Sequence, residues 1–115
     1  MSEQKYTNKV IDAINQGMAI SKENSLSCFD VPSLLRALYD QEGSMYVNIL
    51  KKLGIDVKTV NQLIDNAIHG AIKTTSTQEP EPSSDMNNVL YNAQKYQKSM
   101  GDDYMSVEHL LLAQF

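Results

Sequence analysis

The chain has 115 residues, 42% of them hydrophobic, and a formal net charge of −4 at pH 7. This length suits one domain with a single modest core and is too short for two. The 10 basic residues are spread along the chain, without the concentrated positive surface of a nucleic-acid-binding protein. No apolar run approaches the ~18 residues of a membrane span, and no basic-then-apolar leader is present. With Cys28 as the only cysteine, we expect a cytoplasmic protein with neither nucleic-acid nor membrane partners.

Apolar residues recur at helical spacing in six segments, and no segment alternates like a strand for more than a few residues. In the first half of the chain, apolar stripes are preceded by the N-cap candidates Thr7, Asp30, Ser44 and Asp56. Such side chains accept the N–H groups that the start of a helix leaves unpaired. The pattern predicts four helices, the last ending near His69, where a cation suits the C-terminal end of the helix dipole.

Residues 73–85, with the sequence "KTTSTQEPEPSSD", contain no Leu, Ile, Val or aromatic residue and carry two Glu-Pro steps. This composition predicts a solvated linker. A fifth helix follows it, and a sixth begins at Ser106. Because the sixth is cut off after about two and a half turns, we expect Leu110, Leu111 and Phe115 to be exposed.

Residues 7–39 and 83–115 align with a constant offset of 76 and no gap. Only five of the 33 positions are identical, but helix caps, small residues and core positions agree in both copies. We therefore predict an all-α helical bundle built from a duplicated four-helix unit. The first repeat covers 6–70, and the second, over 83–115, is truncated. The matched pairs include Thr7 with Ser83, Val10 with Met86, Gly17 with Ala93, Asp30 with Ser106, and Leu34-Leu35 with Leu110-Leu111.

Two explanations of the truncated repeat are open. The chain is either a fragment of a longer polypeptide, or a second chain covers the apolar residues of the sixth helix in a dimer or swapped arrangement. In a fragment, the first repeat has its packing partners and the second does not. We then expect Leu35→Ala to destabilise the protein by about 2–5 kcal/mol, and Leu111→Ala by less.

Four stretches carry a resemblance to a known family: "YTNKVIDAI", "LYDQEGS", "ILKKLGID" and, most specifically, "GDDYMSVEHLLLA". Over residues 6–115 the chain resembles the N-terminal domain of the Clp/Hsp100 ATPases, and the ClpB disaggregase branch is the most similar. The resemblance implies an all-α bundle of two four-helix Clp repeats, of which the second is incomplete here.

In that family this domain precedes two AAA+ ATPase modules and performs no chemistry itself. The resemblance implies a substrate-recruiting domain of a ClpB-type, ATP-dependent disaggregase, which binds unfolded or aggregated polypeptide for a homohexameric ring. It also implies ATP and Mg for the full-length protein, although this chain contains no G-x-x-x-x-G-K-[ST] P-loop. Two alternatives stay open: a domain of a protease-coupled Clp ATPase that docks an adaptor or co-chaperone, and an unrelated helical regulatory domain.

The resemblance implies two sets of substrate-binding positions. The set that engages unfolded polypeptide is Thr7, Asp102 and Glu108, and the set near an apolar groove is Asn92, Tyr96 and His109. Each set also has a structural explanation. A Thr is a good N-cap, carboxylates near the first turn of a helix suit its dipole, and a His on an apolar face is more often part of the core. The family more often has aliphatic residues at the groove positions, so this chain departs from the pattern there.

No residues in the sequence have the spacing of a catalytic or metal site. The two histidines and Cys28 lie far apart at helical positions, and no cluster has the spacing of metal ligands. A pair of Cys28 with a histidine has no orienting third group and no glycine-rich nest for an oxyanion. We therefore expect no enzymatic activity, cofactor or metal in this chain.

Overall fold

A computed structural model describes residues 5–75 and 79–114 of the chain. Within those residues the fold is all-α, with six helices and no strand, so the predicted helices and fold class are confirmed. The helices are α1 (Asn8–Glu23), α2 (Val31–Asp40), α3 (Met45–Lys52), α4 (Val57–His69), α5 (Ser84–Ser99) and α6 (Val107–Leu112).

The predicted N-cap side chains begin their helices as expected. Thr7 Oγ1 accepts the Val10 N–H at 3.4 Å, and Ser83 Oγ accepts the Met86 N–H at 3.0 Å in the equivalent place of the second repeat. These bonds satisfy donors that have no partner within the helix. The same role is filled for α2, α3 and α4 by the side chains of Asp30, Ser44 and Asp56.

A single core is shared by both repeats. Helix α1 packs on α2 and α5 packs on α6, while α4 covers α2 and α3 lies against both α2 and α6. The largest fully buried apolar side chains come equally from the two repeats and belong to one cluster. They are Phe29, Leu34 and Leu38 from the first repeat, and Met86, Met105 and Leu110 from the second.

Matched backbone hydrogen bonds join the two repeats. The Thr7 N–H donates to the Met105 oxygen and the Ser83 N–H donates to the Phe29 oxygen, both at 3.0 Å. Each bond becomes the other when residues 76 apart are exchanged, which is the arrangement of a local two-fold axis between duplicated units. A second matched pair, both at 2.8 Å, joins the Met105 N–H to the Lys5 oxygen and the Phe29 N–H to the Glu81 oxygen.

The ends of α1 and α5 also match. Ser25 and Gly101, which are equivalent at the offset of 76, both have a positive φ, 55° and 71° respectively. At the next residue in each repeat, the Leu26 N–H donates to the Ser21 oxygen at 2.9 Å, and the Asp102 N–H donates to the Gln97 oxygen at 3.0 Å. The left-handed residue lets these bonds close the last turn of each helix. Only the second repeat uses glycine there, so the first repeat holds a serine in a strained conformation.

We expect Ser25→Gly to raise the free energy of unfolding by about 1 kcal/mol, because glycine adopts a positive φ without steric cost. Gly101→Ala is the matched variant and should lower it by about the same amount. No atom lies within 4 Å of the Cβ that an alanine at position 101 would carry, so its effect is purely conformational. Urea denaturation of both variants measures this. A loss of stability in Ser25→Gly would contradict it.

Gly17 allows a close approach between α1 and the segment before α2. A Cβ built on Gly17 would lie 2.6 Å from Phe29 Cε1, closer than two carbon atoms can approach. At the equivalent positions the second repeat has Ala93 and Met105, both buried. The repeat with the larger residue on the helix therefore has the more flexible side chain opposite it.

We expect Gly17→Ala to lower the free energy of unfolding by about 1–2 kcal/mol, since overpacking outweighs the helix propensity gained from alanine. In a Phe29→Met background, which copies the second repeat, the same substitution should be neutral or stabilising. Urea denaturation of the four proteins in a double-mutant cycle measures the coupling. Equal losses in both backgrounds would mean that the ring of Phe29 is not what excludes the methyl group.

The predicted linker, residues 73–85, is not fully solvated in its described parts. The Thr74 N–H donates to the Ser25 oxygen at 2.8 Å, and the side chains of Glu79 and Lys22 form an ion pair at 2.8 Å. Pro80 is buried. Most of the described side chains of the range are exposed while parts of its backbone pair with the first repeat, and its last two residues already belong to α5.

The prediction that the apolar residues of α6 are exposed is wrong for Leu110 and Leu111. Their side chains are 0% and 6% exposed, because α6 packs against α5 and also against α3 of the first repeat. Contacts between the repeats thus supply much of what the sequence pattern assigned to absent helices. Phe115 lies outside the described residues.

Candidate functional site

The start of α1 lies beside the loop that leads into α6. The backbone bond from Thr7 to Met105 holds the two segments together, so Thr7 is brought near the loop that carries Asp102. The Thr7 hydroxyl is also the N-cap of α1. Its structural role is therefore visible in the fold, and its predicted contact with substrate stays a prediction.

Asp102 is held in place by His109. Nε2 of His109 lies 2.9 Å from Oδ2 of Asp102, whose side chain is 48% exposed. On the other side of the ring, Nδ1 accepts the Ser106 N–H at 2.8 Å. Because an acceptor nitrogen carries no proton, the ring proton is on Nε2, and this N–H donates a hydrogen bond to the carboxylate. His109 thus fixes one oxygen of Asp102 while the carboxylate stays open to solvent.

The prediction that places His109 in a surface groove is wrong. Its side chain is 1% exposed, since it folds back over the first turn of α6 to cap the Ser106 N–H. It can reach a ligand only through Asp102. The alternative interpretation of this histidine, as a satisfied member of the core, describes its position.

Glu108 is exposed in the first turn of α6. A carboxylate there is favoured by the partial positive charge of the helix N-terminus. The structure therefore has Asp102 in the loop before α6 and Glu108 in the first turn of α6, both exposed, and it joins Thr7 to Met105 of that loop. Each of these groups could accept an N–H of an extended peptide.

A cleft lies between α5 and the end of α6, and we name it the α5–α6 cleft. Its volume is about 400 Å³, and its lining residues are Asn92, Lys95, Tyr96, Ser99 and Ala113. Two of the predicted groove residues, Asn92 and Tyr96, are thus brought together. Lys95 and Ser99 were missed by the sequence analysis, although their spacing from Asn92 places them on the same helix face.

A second, smaller pocket of about 160 Å³ lies between α3 and α6 and was not predicted. It is almost wholly apolar, and among its described lining residues Gln114 contributes the one amide side chain. Burial raises the pKa of the Tyr46 phenol above its usual value of 10.0. The other lining residues are Leu35, Ile49, Leu50, Leu53, Ile55 and Leu111.

In 5–75 and 79–114, no three His, Cys, Asp or Glu side chains are grouped so that they could hold a metal ion. Among the same residues, no helix is long and apolar enough to cross a membrane. Cys28 is a half-buried free thiol.

The fold is that of a known domain family. The family model of the Clp repeat (R) N-terminal domain matches residues 5–115, and the chain belongs to this family. It is 31% identical over 116 residues to the chaperone protein ClpB of Staphylococcus epidermidis, and 29% identical over 111 residues to ClpB of Chlamydia muridarum. These alignments cover 98% and 96% of this chain but only 13% of each relative. The resemblance to the Clp/Hsp100 N-terminal domain is confirmed.

A solved structure has the same fold. The N-terminal domain of Hsp104 from Candida albicans superposes with a TM-score of 0.85 at 20% sequence identity, covering 96% of this chain and 73% of that one. At this identity the likeness concerns the fold alone.

Proposed function

We propose that this domain recruits unfolded or aggregated polypeptide for a ClpB-type, ATP-dependent disaggregase. The observation that carries the proposal is the α5–α6 cleft, which presents Tyr96 and a row of hydrogen-bonding side chains in a member of the Clp N-terminal family. Weak, reversible binding there raises the local concentration of substrate at the entrance of a ring. The chain spans 13% of the length of its curated relatives. We therefore propose, for the whole protein, the use of ATP and Mg, a homohexameric ring and a cytoplasmic location.

The exposed carboxylates of the loop before α6 and of its first turn support this function. Ser99 lines the cleft at the end of α5, and Asp102 follows just beyond that end. Asp102 and Glu108 can accept backbone N–H groups or basic side chains of an extended segment. An aromatic contact next to such acceptors suits polypeptide without a folded shape, since neither group requires a fixed partner geometry.

An NMR titration with a permanently unfolded polypeptide, such as α-casein, tests the proposal. We expect amide shifts at Asn92, Tyr96, Asp102 and Glu108. Tyr96→Ala should weaken binding by about fivefold or more, as loss of an aromatic contact commonly does. Leu63→Ala is the matched control, because it removes an exposed apolar side chain from α4. Absence of shifts at millimolar polypeptide, or equal effects of the two variants, would reject the proposal.

The role of the N-cap needs a separate pair of variants. Thr7→Ala should lower stability by about 1 kcal/mol whatever its role in binding, so a loss of affinity alone is ambiguous. Thr7→Ser retains both the cap and the hydroxyl. We expect it to bind normally, and weaker binding by Thr7→Ala at a temperature where the fold is intact then reports on the hydroxyl.

One observation favours a second candidate, docking of a folded adaptor protein. Asn92 and Tyr96 stand where the family resemblance implies aliphatic residues, and polar side chains suit a surface of defined shape. Binding to a folded adaptor that excess unfolded polypeptide does not displace, in a pull-down with the domain, would favour this candidate.

A further inference from the structure

The α5–α6 cleft contains a positive charge that the domain does not neutralise. Among the described residues that line it, Lys95 is the only charged one. Its ammonium lies 5.4 Å from the centre of the Tyr91 ring, and no ion pair in residues 5–75 and 79–114 includes it. The chain as a whole has a net charge of −4, so the charge that Lys95 brings to the cleft is opposite in sign to the net charge.

A partly equivalent cleft in the first repeat carries the opposite charge, at positions that do not match Lys95. This cleft of about 550 Å³ lies between α1 and α2, and its Ala37 is equivalent to Ala113 at the offset of 76. The charged residues of its lining are Asp12 and Asp40, whereas the α5–α6 cleft has Lys95. The two clefts share one further equivalent pair, Gln16 and Asn92, but Lys95 is equivalent to Ala19, so the positive charge is particular to the second repeat.

We infer that the α5–α6 cleft selects polypeptide segments in which a carboxylate stands beside an apolar or aromatic side chain. The carboxylate pairs with Lys95, and the amide of Asn92 and the hydroxyl of Ser99, on the same helix face, supply hydrogen-bond donors for it. Tyr96 contacts the apolar neighbour. This inference rests on the proposed function, and it names the class of segment that the cleft prefers.

Three short unfolded peptides test it. They share one aromatic and apolar segment and differ in a single flanking residue, which is Asp, Asn or Lys. By fluorescence anisotropy at low salt, the acidic peptide should bind about threefold more tightly than the neutral one, the effect of an exposed ion pair. Lys95→Gln should abolish the difference, and Lys95→Arg should retain it. Lys58→Gln on α4 makes the same change in net charge away from the cleft and should also retain it. Added salt should weaken the discrimination.

The outcomes separate this inference from the function beneath it. Equal binding of the three peptides, or discrimination that persists in Lys95→Gln, would overturn the inference and leave polypeptide capture intact. A preference for the basic peptide would overturn it too, and would point to Asp102 and Glu108 as the dominant contacts. If none of the peptides binds at millimolar concentration, both the inference and the proposed function are rejected.

Discussion

Leu111→Ala should lower the free energy of unfolding by about 2–5 kcal/mol, the usual effect of deleting a buried leucine side chain. We expect the loss to equal or exceed that of Leu35→Ala, the reverse of the order predicted from the sequence. Leu111 is 6% exposed, whereas its equivalent in the first repeat is only partly buried. Both residues line the same apolar pocket between α3 and α6, so the two variants enlarge one space from opposite sides.

Urea denaturation of the two variants measures this order, with Leu112→Ala as the control. Leu112 is 38% exposed on the same helix, so its truncation should change stability by less than about 1 kcal/mol. A larger loss in Leu35→Ala than in Leu111→Ala would mean that α6 is loosely packed. Repeating the measurement over a range of protein concentrations reveals whether a second chain contributes, since dimerisation makes the midpoint depend on concentration.

His109→Ala should lower the free energy of unfolding by about 2–4 kcal/mol, since it creates a cavity and leaves the Ser106 N–H without its acceptor. The cause is the buried ring, which bridges Ser106 and Asp102 at 2.8 and 2.9 Å. His109→Leu keeps most of the packing and loses only the hydrogen bonds, so it should cost about 1 kcal/mol. Thermal and urea denaturation measure the two losses.

The leucine variant also separates fold from function. If His109 orients Asp102 for a ligand, His109→Leu should weaken polypeptide binding under conditions where it is fully folded. The amide shift of Ser106 reports whether the bridge is lost. Unchanged binding with a lost bridge would mean that Asp102 does not need its imidazole partner, and that the contact serves the fold alone.

The sequence predicts the local structure well because the signals for helices are local. Asp30 and Ser83, for example, begin helices through bonds to N–H groups at most three residues away, and the apolar stripes follow the 3.6-residue period. The pairing of helices is not encoded in that period. A stripe on α6 shows that Leu110 and Leu111 need a cover, but not that α3 of the other repeat provides it.

The candidate site divides in the same way. Asn92 and Tyr96 were named from the family resemblance, and the structure brings them to one cleft. For His109 the resemblance implied a groove, whereas the usual burial of a histidine on an apolar face describes its position. Its hydrogen bonds to Ser106 and Asp102 direct it inward, and a pattern of apolar positions contains no information about such bonds.

The backbone bonds between the two repeats bear on how the chain folds during its synthesis. Thr7 pairs with Met105, which leaves the ribosome about 100 residues later, a delay of roughly 5–20 s at ~5–20 residues per second. During that interval α1 can dock on α2, but its first turn and half of the shared core wait for α6. The nascent first repeat therefore presents apolar surface until α5 and α6 have been synthesised. For several seconds during its synthesis, a domain with this topology therefore exposes apolar surface through which it can aggregate.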